Sequence, residues 1–159
     1  MGRIGGAVRT AACVTALMLT VPPGISAAAE PGGMGGMQHG EKIFSGKVGP
    51  WVGEARLVDM KAQLERSGVS AKTAARFAGK RYLMLFLTDP ATGKPAAGVS
   101  GTVAITGPDK ASSSKVTLIL MGEHIGADVG MPTPGKYTFK AETESAGRKG
   151  NAIFSYTLK

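Results

Sequence analysis

The run Tyr82-Leu-Met-Leu-Phe-Leu87 constrains this chain most. It is apolar at every position, and Lys80-Arg81 and Asp89-Pro90 bound it. A half-exposed strand alternates apolar with polar residues. An unbroken apolar run of this length between turn signals instead predicts a strand covered on both faces. The rest of the chain must then supply a layer on each side of it.

Most of the remaining segments do alternate. Residues 41–48, 99–106, 116–121, 127–131, 136–141 and 152–158 read as strands, and 51–58 as a second strand or an edge continuation of the first. Gly49-Pro50, Asp89-Pro90, Gly107-Pro108 and Pro132-Thr133-Pro134-Gly135 punctuate them. Turn signals at a spacing of about eight to twelve residues predict an all-β, immunoglobulin-like antiparallel sandwich of about seven strands. Pro134-Gly135-Lys136-Tyr137 adds a specific expectation: Tyr137, early in a late strand, bonds back onto the preceding corner.

The period changes once, near residues 59–79. Asp59 is placed to cap a helix over 60–67 that Gly68 ends, and Ser70 to cap a second over 71–78 that Gly79 ends. Met60 with Leu64, and Ala74 with Phe77, then share faces. This short helical insert is expected against the sheet or across one end of it.

The start of the chain is different in kind. Arg3 and Arg9 precede an apolar stretch over 10–21, Pro22-Pro23-Gly24 follows, and Ala27-Ala28-Ala29 stands before Glu30. This order predicts a secretory signal peptide over 1–29 cleaved near Ala29, and hence a periplasmic or secreted protein. The apolar stretch is shorter than the roughly 20 residues that span a bilayer. Residues 30–40 form a Gly/Met-rich tail carrying Met34, Met37 and His39, too poor in apolar surface to pack. The folded domain is then 41–159.

Cys13 is the only cysteine and lies in the leader, before the end of the apolar stretch, which argues against a lipid anchor. The mature chain therefore has no thiol, and no thiolate nucleophile, zinc–thiolate site or redox pair. Two of the nineteen Lys and Arg precede residue 30 and no acid does, which leaves +6 on the mature chain, 17 basic against 11 acidic. The basic residues are scattered rather than grouped, so nucleic acid is not the expected partner.

No catalytic constellation stands out. No Gly-x-Ser-x-Gly elbow frames a serine, and no phosphate-cradling loop or dinucleotide fingerprint is present. A non-enzymatic protein is expected. Metal ligation is the sharper reading. Thioether sulfur suits Cu(I), and imidazole serves both copper states. Met121-Gly-Glu-His124 places a thioether and an imidazole three residues apart across a turn. Met131 follows seven residues later, about 23 Å away if the chain is extended. Met84 in the apolar run, or Met60 in the insert, is available to complete a set. Both also read as plain packing, Met84 in the core and Met60 on a helix face. Met34, Met37 and His39 are weaker candidates. Glu123 and Asp128 match no calcium loop.

Tyr82-Leu-Met-Leu-Phe-Leu87, Thr92-Gly-Lys-Pro95, Met121-Gly-Glu-His-Ile-Gly-Ala-Asp-Val129 and Pro134-Gly-Lys-Tyr137 together resemble small periplasmic domains of the YtkA-like and CopC-like kind. The resemblance spans about residues 81–158. It implies an immunoglobulin-like sandwich that handles copper through Met and His near strand ends, here Met121, His124 and Met84. It also implies a periplasmic copper-accepting or copper-donating partner. The mature domain lacks the N-terminal histidine that CopC-like sites often use, which favours Cu(I). The alternative is an exported structural or interaction domain without metal.

Overall fold

A computed structural model describes residues 40–159. The expected leader, and Met34, Met37 and His39 of the tail, lie outside the described residues. Eight strands follow in order: β1 (Glu41–Val48), β2 (Trp51–Asp59), β3 (Lys80–Thr88), β4 (Ser100–Thr106), β5 (Ser114–Met121), β6 (His124–Gly130), β7 (Gly135–Ser145) and β8 (Arg148–Leu158). Between β2 and β3 stand α1 (Met60–Arg66), α2 (Ala71–Ala74) and a 3₁₀ turn, Ala75–Phe77. Among the described residues no helix is long and apolar enough to cross a membrane.

Every pairing between strands is antiparallel, in the order β1-β2-β3-β6-β5-β4-β7-β8. β5 makes this continuous ribbon into two layers. Its first half pairs with β4, up to Leu118 opposite Gly101, and its second half pairs with β6, from Ile119 opposite Gly126. One layer is therefore β2-β3-β6-β5 and the other β4-β7-β8, the two sheets of an immunoglobulin-like sandwich, with β1 added outside β2. The far side closes as well. Phe44 of β1 stacks on Phe154 of β8 with ring centroids 4.7 Å apart, and the Tyr156 hydroxyl donates to Glu41 at 2.8 Å. The result is nearly a barrel.

The interior follows from alternation. Leu83, Leu85 and Leu87 of β3 and Ile125, Ala127 and Val129 of β6 face Val103, Ile105, Tyr137, Phe139, Ala141 and Phe154 of the opposite layer. Full burial of one such Leu or Phe stabilises by roughly 1.5–3 kcal/mol. Phe139 stands two residues after Tyr137, where antibody domains carry a cysteine. Fully buried and stacked on Phe154 at 5.3 Å, it fills with ring surface what a disulfide fills elsewhere.

The corner expected at Tyr137 is present. Its hydroxyl donates to the Thr133 carbonyl at 2.7 Å and accepts from the Thr133 N–H at 3.3 Å. Asp109 braces the same corner: one carboxylate oxygen accepts from the Thr133 hydroxyl at 2.9 Å, the other from the Ser112 N–H at 2.7 Å. These bonds favour the charged form and hold the Asp109 carboxyl below its usual range.

The helical insert starts as its caps predict, with Asp59 accepting from the Ala62 N–H and Ser70 from the Thr73 N–H. The second helix is shorter than expected and tightens into the 3₁₀ turn. The strands run longer than the alternation alone showed. β6 begins at His124, not at residue 127, because Gly122-Glu123 closes a two-residue hairpin. The polar loop expected around Gly147 is a two-residue turn, and Gly150 lies inside β8, where a Cβ would meet Trp51 at 2.8 Å.

Tyr137→Phe is expected to lower stability by about 1–2 kcal/mol in urea unfolding, because the backbone N–H and C=O of Thr133 lose their partner. Ala146-Gly147 has positive φ at both positions, 49° and 75°, as a type I′ hairpin turn requires. Alanine is strained there and asparagine is tolerated. Ala146→Asn should therefore stabilise by about 0.5–1 kcal/mol, seen as a higher melting temperature.

Candidate functional site

The site is built on the outer face of the β2-β3-β6-β5 layer. Leu83, Leu85 and Leu87 point inward, so Tyr82, Met84 and Phe86 point outward. Their partners on β6 are Asp128, Gly126 and His124. Ile119 lies opposite Gly126 and Met121 opposite His124. Alternation thus gathers Tyr82, Met84, Phe86, His124, Gly126, Ile119 and Met121 on one surface.

The hairpin fixes the central pair. Gly122 has φ 63° and Glu123 is not among the positive-φ residues, which is a type II′ turn with glycine at its first central position. Met121 and His124 are therefore directly opposed, with Cβ atoms about 4.5–5.5 Å apart. Met84 shares the face on the diagonal, about 7–8 Å from His124. Met131 does not belong: it follows the far end of β6, is 1% exposed and packs in the core. Met60 opens α1 and is partly buried.

Cover over this face is uneven. Val58, Met84 and Ala74 are buried yet stand apart from the main core. They lie on the outer side, where α1 packs on β2 and β3. Met84 is fully buried, Tyr82 and Phe86 are half-buried, and Met121 is 48% exposed. Cover is thus complete at Met84 and thin at Met121 on the hairpin.

Gly126 matters because it lacks a side chain. A Cβ there would fall against the Tyr82 hydroxyl, with the ring Cζ at 2.7 Å and the Leu83 carbonyl oxygen at 2.8 Å. The Tyr82 ring crosses this gap and its hydroxyl donates to the Met121 sulfur at 2.9 Å. Burial, and then the Asp128 carboxylate, push the Tyr82 hydroxyl above its usual range, so it stays protonated.

His124 sits between two rings, edge-on to Tyr82 at 6.1 Å and tilted against Phe86 at 5.2 Å. Its Nε2 is buried without a hydrogen-bond partner. Desolvation lowers its pKa, which keeps the imidazole neutral and a nitrogen lone pair available. An orphaned imidazole nitrogen paired with a thioether suits a soft, singly charged ion. Among the described residues no group of three His, Cys, Asp or Glu is placed to hold a metal. The nearest ion-pair cluster, Lys42–Glu54–Arg56, is internally satisfied.

Sequence reasoning singled out Met121, His124 and Met84. It missed Tyr82, Phe86 and Gly126, whose roles arise from the pairing of β3 with β6. The period-2 position of Tyr82 and Phe86 around Met84 was the available signal.

No protein-family model and no curated protein matches the sequence. Among solved structures, the copper-bound form of a variant of FetP from uropathogenic Escherichia coli superposes with a TM-score of 0.48. It is 13% identical, and the match covers 74% of this chain and 89% of that one.

Gly126→Ala should cost about 1–3 kcal/mol, since the new methyl meets backbone as well as the Tyr82 ring. Urea unfolding checks the cost. Loss of the Tyr82–Met121 contact should appear as a changed tyrosine signal in the near-ultraviolet.

Proposed function

We propose that this chain is an exported, non-enzymatic protein that binds a soft monovalent metal, Cu(I), through Met121 and His124. One observation supports the reading above the others. The terminal cross-strand pair of the β5–β6 hairpin is a thioether facing an imidazole whose Nε2 is buried and unpaired. Met84 stands on the same face as a second sulfur, and Tyr82 and Phe86 flank the ring. Sulfur and imidazole without thiolate favour Cu(I) over divalent ions. The partner class this implies is a periplasmic copper-donating or copper-accepting protein.

A second reading has its own observation. Beyond Leu118, β5 has β6 on one side only, and Ile119, Leu120 and Met121 there are 65%, 48% and 48% exposed. Such a free apolar edge also suits an immunoglobulin-like interaction domain without metal.

Titration of the mature protein with Ag(I), an air-stable stand-in for Cu(I), separates the two. At about 100 times the dissociation constant, bound metal raises stability by about 2.7 kcal/mol and the melting temperature with it. Met121→Leu with His124→Phe should abolish that rise, and Met131→Leu should leave it intact. Undiminished binding by the double variant would refute the site. Loss of binding on removing residues 30–39 alone would move it to the tail. Absence of binding altogether favours the second reading.

A further inference from the structure

Four methionines are described. Met84 and Met131 are 0% and 1% exposed, Met60 is partly buried, and Met121 is 48% exposed. Exposure makes a thioether oxidisable and already sets Met121 apart; a second feature adds to it. A protonated phenol stands 2.9 Å from its sulfur, led there over the open position at Gly126.

We propose that Met121 is a methionine-oxidation site, at which a peroxide gives one oxygen atom to Sδ with the Tyr82 hydroxyl as proton carrier. The sulfur lone pair attacks the near oxygen of hydrogen peroxide. The S–O bond forms and the O–O bond breaks. The far oxygen leaves as hydroxide and takes the Tyr82 proton, becoming water. The hydroxysulfonium then returns its proton to Tyr82. Sulfur loses two electrons, peroxide gains them, and Tyr82 ends unchanged. The Tyr82 hydroxyl is a donor held beside the sulfur rather than one drawn from solvent.

The product keeps the local structure. A sulfoxide oxygen accepts a hydrogen bond better than a thioether does, so Tyr82 retains a partner. The sulfur, however, becomes part of a polar group and no longer a soft donor. Oxidation therefore removes the metal-binding property; this consequence rests on the reading given above, and the oxidation does not.

The test exposes the mature protein to hydrogen peroxide and follows each methionine-containing peptide by mass spectrometry. Met121 should gain one oxygen atom several-fold faster than Met60, and well before Met84 and Met131. Tyr82→Phe, with its fold checked by circular dichroism, should slow Met121 several-fold while leaving Met60 unchanged. A Met121 rate no greater than that of Met60 would overturn the site. An equal or faster rate in Tyr82→Phe would overturn the proton carrier. Ag(I) binding by the oxidised protein is read separately: its loss supports the consequence. Retained affinity overturns Met121 as a ligand and leaves the oxidation standing.

Discussion

The burial of β3 on both faces is the constraint on which the rest depends. A strand with apolar side chains on each side needs two partners, and this chain finds them in different places. The inner row, Leu83, Leu85 and Leu87, meets the opposite sheet. The outer row is covered unevenly: Met84 is fully buried, and Tyr82 and Phe86 on either side of it are half-buried. The β5–β6 hairpin brings its last pair beside Phe86.

Local signals in the sequence were reliable wherever the physics is local. Asp59 and Ser70 cap because their side chains reach N–H groups three residues on. Tyr137 reads as a corner because its hydroxyl closes onto a residue four positions back. The β5–β6 hairpin was less visible, although glycine at the first position of a two-residue turn is its signal. Met-Gly-Glu-His lacks the alternation that marks a strand, and Gly126 interrupts it again. That Tyr82 and Phe86 share a face shows in their period-2 spacing, but that His124 joins them does not. It depends on the β3–β6 register, and a shift of one residue would turn every one of these side chains inward. The remoteness of Met131 could be foreseen from rise per residue; its burial in the core could not.

The two layers also explain how the described domain, which contains no cysteine, holds its shape. β5 joins the sheets on one side by passing from β4 to β6, and Phe44, Phe139 and Phe154 stack across the other. Both devices act where strand pairing alone would leave the sandwich open. No disulfide is needed among the described residues, where thioether and imidazole are the soft side chains present.

His124 is the residue that packing alone does not account for. In this half-buried place between two aromatic rings, a phenylalanine or leucine would cover the same area without a polar atom. An imidazole there leaves Nε2 without a partner, a cost of about 1–3 kcal/mol for a buried acceptor or donor. Chains tolerate such local conflicts mainly where another requirement outweighs stability. On the function proposed above, that requirement is a small soft ion that supplies the missing bond and shares itself with the sulfur across from the ring.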